Sequence, residues 1–238
     1  MRRVNGIEPR PGRRGAGRRV LSWTLAGVLA GAVPVAAAAQ DAAPAPMTSA
    51  AAVAFLPDPE RFDLLVEGEG LEPGAAQEIG QGIIDAIGGS HFYGAVYAFR
   101  PDDATELSLH IRSGLHSLEA AEAAARADCE AARGAATSRC RAVARIVPAG
   151  EPAAEGPSLS HDAAYGLRGS AARMGGPIAL ARSRATPAWA MWSGPGARQS
   201  ALEECEAKAR AEDASAEADC DIVVEDAGTG GAPGARRP

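Results

Sequence analysis

Apolar and polar positions recur along the chain in two periods, and the switches between them mark out elements. Residues 75–87 read as a helix stopped at Gly88-Gly89, where glycine takes the left-handed conformation that ends helices. A strand over 92–99 follows, then a turn at Pro101-Asp102-Asp103. Over 105–113, Leu107, Leu109 and Ile111 alternate with Glu106, Ser108, His110 and Arg112, the period-two pattern of a half-buried strand. From Leu118 the period lengthens. Leu118, Ala121, Ala125, Cys129 and Ala132 fall three or four apart and share one stripe of a helix over 118–133. Ser117 is its expected N-cap, Glu119 and Glu122 suit its positive end, Arg133 its negative end, and Gly134 its stop. A strand over 139–147 then places Cys140, Ala142, Ala144 and Ile146 on one face, with Arg141, Val143 and Arg145 on the other.

The same order recurs downstream: helix 161–173, strands 177–184 and 188–192, helix 197–212 and strand 219–225. With one residue of slack, Ile79 aligns with Leu167, Gly88-Gly89 with Gly175-Gly176, Cys129 with Cys205, and Cys140 with Cys220. The expected fold is therefore α+β: two tandem helix-strand-strand-helix-strand repeats, each a small, mostly antiparallel sheet packed by helices. The expected boundaries are a removable segment over 1–39 and a leader with two short strands over 40–74, the first repeat over 75–148, a Pro- and Gly-rich linker over 149–160, the second repeat over 161–226, and a disordered tail over 227–238. The two short strands are placed around Val53-Ala54-Phe55-Leu56 and Phe62-Asp63-Leu64-Leu65-Val66.

Four cysteines, Cys129, Cys140, Cys205 and Cys220, allow three pairings. Each repeat carries one on the apolar stripe of its helix and one at the start of the next strand. This favours Cys129 with Cys140 and Cys205 with Cys220, each bridge stapling a helix to its following strand. Loops of this size stabilise by about 3 kcal/mol in the chain-entropy model. That matters in a core built from alanine, which buries little area at roughly 25 cal/mol per Å². Buried free thiols are the competing reading.

Composition places those cysteines. An arginine-rich lead precedes Val20 to Ala39, which holds no charge and ends in Ala37-Ala38-Ala39, the layout of an export signal cleaved after Ala39. Arg18-Arg19 before Val20-Leu21 resembles a twin-arginine signal, and the general secretory route is the other reading. Retention of Val20–Ala39 as a membrane anchor is the alternative to cleavage. The predicted destination is periplasmic or secreted, where paired cysteines oxidise. Seven arginines and one acid lie within 1–39, so the rest of the 238-residue chain holds 17 basic and 29 acidic side chains, a net charge of −12. Such a surface repels phosphate backbones and anionic headgroups, which argues against nucleic-acid binding and against membrane binding beyond the export signal.

The segment SLEAAEAAARADCEAARGAATSRCRAVARIV, with a cysteine late in an Ala- and Glu-rich helix and another opening the next strand, resembles DUF4189-type bacterial exported proteins. With the FLPDPERF lead and the second copy, the resemblance is to a duplicated alphaproteobacterial type and covers roughly residues 53–226. It implies a small, exported, disulfide-bearing α+β module and supplies no activity.

Catalytic signatures are sparse. Pyridoxal-phosphate chemistry needs a Schiff-base lysine, and the only lysine, Lys208, lies one turn after Glu204 as a solvated helix charge. There is no G-K pair for a phosphate loop. H-E-x-x-H and G-x-S-x-G are absent as well. His91, His110, His116 and His161 show no metal-binding spacing, although His110 beside Arg112 and Glu106 could sit in an open polar site. Asp102-Asp103 reads as a turn and Asp58, between prolines, as a loop. No catalytic, cofactor-binding or metal residue is assigned, and no cofactor is expected. The expected function is a non-enzymatic envelope module with a structural or protein-partner-binding role. The alternative is a secreted enzyme or enzyme inhibitor with a polar site on the outer sheet face. A third reading places a small ligand between the copies near Tyr93, Tyr97, Trp189 and Trp192, where the competing possibility is that these rings fill the core.

Overall fold

The computed structural model describes residues 45–58, 60–67, 75–88, 92–150, 156–171, 173–214 and 219–229. The expected export signal with its cleavage point, and His91, lie outside the described residues. The first unit runs β1 (Phe62–Val66), α2 (Ala75–Ile87), β2 (Gly94–Phe99), β3 (Ser108–Arg112), α3 (Leu118–Arg133) and β4 (Arg141–Pro148). The second runs α4 (His161–Ala171), β5 (Ile178–Arg182), β6 (Trp189–Ser193), α5 (Ala197–Glu212) and β7 (Asp221–Glu225). A short helix, α1 (Ser49–Phe55), precedes both.

Helix ends follow the local chemistry. Ser117 Oγ accepts from Ala120 N at 3.1 Å, which satisfies one orphan donor of α3. Gly134, at φ +55°, donates its N–H to Glu130 O and closes the other end. Gly88, at φ +66°, ends α2 in the same left-handed region.

The strands form two separate antiparallel sheets, ordered β1-β4-β2-β3 and β6-β5-β7. Without β1 the first has the order of the second, so the two units share a topology. Each sheet lies between helices. In the first, Ala95, Tyr97 and Phe99 pack against Ala121, Ala125 and Cys129 of α3, while Ile83 of α2 covers Val96, Ala98, Ala144 and Ile146 on the opposite face. In the second, Ala179, Ala181, Ala190 and Ile222 pack beneath α5, and α4 with α1 covers Leu180 and Val224. Helices thus cover both faces of the central strands in each sheet, while Asp63 and Leu65 of the edge strand β1 stay exposed.

The disulfides are Cys129–Cys140 and Cys205–Cys220, with Cα separations of 6.0 and 6.2 Å. Both helix cysteines are fully buried. The strand faces, however, differ from simple alternation. Tyr97 pairs with Ala142 and Val96 with Ala144, so Val143 is an extra residue in β4. Ala181 pairs with Ile222 and Leu180 with Val224, so Val223 is the extra residue in β7. A bulge reverses which face the following residues present. Cys140 and Ala142 thus face α3 while Ala144 and Ile146 face α2, and Arg145 swings to the α3 side to pair with Glu122 at 2.6 Å. In the second unit Cys220 and Ile222 face α5 and Val224 faces α4.

The segment before the first unit is also not the leader its composition predicts. Residues 53–55, expected in a strand, lie in α1, capped by Thr48 Oγ1 on Ala51 N. α1 packs Ala52 against the α4 core, joined there by Leu56 just beyond it. Asp226, at the end of β7, accepts from Ser49 N at 2.8 Å, Ser49 Oγ at 2.9 Å and Ile178 N at 3.1 Å, and so pins the start of α1 to the second sheet. The strand at Phe62–Val66 forms as expected and pairs with β4. The same N-terminal stretch serves both bulges. Met47 N donates to Val223 O at 3.1 Å and Glu67 N donates to Val143 O at 2.8 Å. At the other end, Thr229 is buried and its carbonyl accepts from Gly196 N before α5, so the ordered chain runs past the expected start of the tail. Leu109, expected half-buried, stands 41% exposed on β3, the edge strand of its sheet, while Leu107 and Ile111 pack inward.

Candidate functional site

The two units meet through loops at the ends of their sheets, and His116 lies at the centre of that junction with no exposed surface. Its Nδ1 accepts from Ser160 N at 3.0 Å, so Nε2 carries the proton and donates to Ala188 O at 3.0 Å. Both bonds cross from the first unit to the linker or the second unit. Burial, with Arg182 close by, pushes His116 down to about 4, so the ring is neutral near pH 7. His161 N donates to Phe92 O at 2.9 Å across the same junction.

Beside it opens a cleft of about 640 Å³. One wall, from the first unit, carries Tyr93, Ser117, Leu118, Glu119 and Val147, while Ser158 comes from the linker and Arg182 and Arg184 from the second unit. The two arginines differ. Arg184 is clamped through Nε and Nη2 by both carboxylate oxygens of Asp221, and is neutralised. Arg182 is partly buried, its Nε is shut off from solvent, and among the described residues its guanidinium has no hydrogen bond or ion pair. Burial lowers its pKa from the usual arginine value, an effect that the Asp221 charge opposes. Burial likewise pushes the Tyr93 phenol up, helped by the Glu119 charge and resisted by Ser158 and Arg182.

The cleft's hydroxyls already have tasks. Ser117 Oγ caps α3, and Ser158 Oγ donates to the carbonyl of His116 rather than meeting its ring. His116 itself is turned into the junction. No serine in the cleft is thus paired with a base, the arrangement that nucleophilic catalysis requires.

Of the aromatic residues expected near a ligand between the copies, only Tyr93 reaches the cleft. Tyr97 sits in the α3 core with its hydroxyl on Arg126 Nη2 at 2.9 Å, and Trp189 packs against the α4 core. Trp192 is 45% exposed and donates Nε1–H to Glu204 at 2.6 Å. His110 stacks on Phe99 at 5.8 Å and contacts Ser108 Oγ, away from the cleft. Lys208 pairs with Glu204 at 2.7 Å, one turn back on α5, and lies over the Trp189 ring. Asp102 accepts from Thr137 N and Oγ1 as a turn carboxylate, and Asp58 accepts from Glu60 N. Among the described residues no group of three or more His, Cys, Asp or Glu converges to hold a metal, and no helix is long and apolar enough to cross a membrane. Arg182 was the residue sequence reasoning missed. Its signal was a single charge closing the apolar run Ile178-Ala179-Leu180-Ala181.

No family, no curated protein and no solved structure matches this chain. What stands without a relative is a disulfide-stabilised α+β protein whose two bridges fit an oxidising compartment outside the cytosol.

Proposed function

We propose that the chain is an exported, non-enzymatic binding module of the bacterial envelope, and that it binds in the cleft between its two units. The observation that carries this reading is Arg182, without a hydrogen-bond or ion-pair partner among the described residues, in a cleft to which both units contribute. A charge taken out of water without a partner is costly, and a ligand that supplies the partner recovers that cost. The committed hydroxyls and the inward-turned His116 support binding over catalysis. The signal-like lead supports export. The shared topology and the repeated bulge support an internal duplication of the kind that the DUF4189-type resemblance implies.

The test is site-specific photocrosslinking in intact cells from two positions, Leu118 on the cleft wall and Leu65 on the exposed face of β1. The expected result is a discrete adduct from position 118 and none from position 65. Equal, diffuse labelling from both positions would remove the cleft as the binding site.

A further inference from the structure

From the same cleft we infer that the ligand presents a single carboxylate, which Arg182 receives. This rests on the binding reading above and names the chemistry of what is bound.

Arg182 and Arg184 are the cationic groups on the cleft lining, and Asp221 already neutralises Arg184 in a two-point contact. Arg182 is therefore the guanidinium of the lining that no carboxylate holds, and Glu119 is the one acid on that lining. A guanidinium offers two parallel N–H donors in a plane, the complement of a carboxylate's two oxygens. Nε of Arg182 is closed to solvent and so to a ligand oxygen, which leaves the two Nη groups of its part-exposed side chain to present that pair of donors. Glu119 on the first unit's wall argues against a dianion. A phosphate would bring two negative charges toward one free guanidinium and one carboxylate, and would meet about twice the Glu119 repulsion that a monocarboxylate meets. The wall also mixes Leu118 and Val147 with the Tyr93 ring, which suits a short apolar group beside the acid. Two sources carry this chemistry, a small free organic acid and the C-terminus of a peptide, and the probes below separate them.

The experiment uses ¹⁵N-labelled, disulfide-bonded full chain and follows the backbone amides of Ser117, Ser158 and Arg182 together with the Arg182 Nε–H resonance. The probes are propionate, N-acetylalanine, a tripeptide with a free C-terminus, N-acetylalaninamide and inorganic phosphate, each at constant ionic strength. Carboxylate probes are expected to give saturable shifts that include Arg182 Nε–H. The amide and phosphate are expected to bind at least tenfold more weakly, and Arg182→Gln to lose the carboxylate response. Glu119→Gln, which leaves Arg182 in place, is expected to strengthen phosphate binding severalfold and serves as a second variant if Arg182→Gln fails to fold. Propionate binding as tightly as the tripeptide assigns a small acid, and a tripeptide preference assigns a peptide terminus. Equal binding of N-acetylalanine and its amide, or a carboxylate response unchanged in Arg182→Gln, overturns the carboxylate assignment. Saturable shifts at these amides from the amide probe alone overturn it while leaving the cleft as a binding site. No shift from any probe, together with a negative crosslinking result, overturns both.

Discussion

Replacing His116 with Gln removes the one titrating ring buried at the junction between the units, and the effect on stability is pH-dependent. In the folded chain the ring takes up a proton only at about 4, against 6.5 when it is free in water. Between those values the unfolded chain binds more protons than the folded one, so stability falls as pH drops through that window and is fully present only above about pH 6.5. At about 1.4 kcal/mol per pKa unit, the loss reaches roughly 2 kcal/mol near pH 5 and about 3 kcal/mol near pH 4. Asp102, Asp128, Glu204 and Asp226 are held below their ordinary values, so their own stability loss falls at lower pH. The charges that reach His116 are Arg182 and Asp219, and both persist in the variant. At pH 7, His116→Gln costs about 1–3 kcal/mol, because the Ser160 N–H loses its acceptor in a buried site. The assay is urea unfolding of both proteins, disulfides intact, followed by tryptophan fluorescence from pH 7 to pH 5. The gap between wild type and variant is expected to shrink by about 2 kcal/mol over that range. A gap constant to within about 0.5 kcal/mol would refute the neutral, buried imidazole and the bonding assigned to it.

Three further outcomes test the scaffold. Replacing Cys129 and Cys140 together by Ala, or Cys205 and Cys220 together, should each lower stability by about 3 kcal/mol. Peptide mapping of the non-reduced protein should find both links within units; a link between units would contradict the fold. Asp226→Ala frees Ser49 and Ile178 from their shared acceptor. It should cost about 1–3 kcal/mol and raise hydrogen exchange in α1 while α3 stays protected; equal exchange in both helices would argue against a local clamp. At Gly94 an added Cβ would lie 2.7 Å from Ile146 Cδ1 and 3.1 Å from Arg112 O. Gly94→Val should therefore destabilise by about 1–3 kcal/mol, read as a lower urea midpoint with unchanged slope; an unchanged midpoint would show that the strand has room there.

What the amino-acid order determined by itself is local. The bounds of α2, α3 and α5 follow from apolar spacing together with Gly88, Ser117 and Gly134, because a helix and its caps are set by neighbours within a turn or two. The disulfide pairing was legible for a related reason: each cysteine falls on the buried stripe of its own element, and both elements are adjacent in the chain. Val53–Leu56 was misread as a strand because four apolar residues fit either period. Thr48 and the packing of Ala52 and Leu56 against α4, more than a hundred positions away, decide for a helix ending at Phe55. The bulges at Val143 and Val223 were invisible for the same kind of reason. Nothing in the local pattern of β4 or β7 marks the extra residue, and it is the pairing with β2 and β5 that turns Ala144 and Val224 away from their cysteine partners. Arg182 falls inside the strand expected over 177–184, directly after the apolar run Ile178-Ala179-Leu180-Ala181. Only the meeting of two distant units gives it a cleft, a neighbouring Tyr93 and, among the described residues, no counter-charge in contact, because burial and electrostatic partnership are set by the whole packed chain.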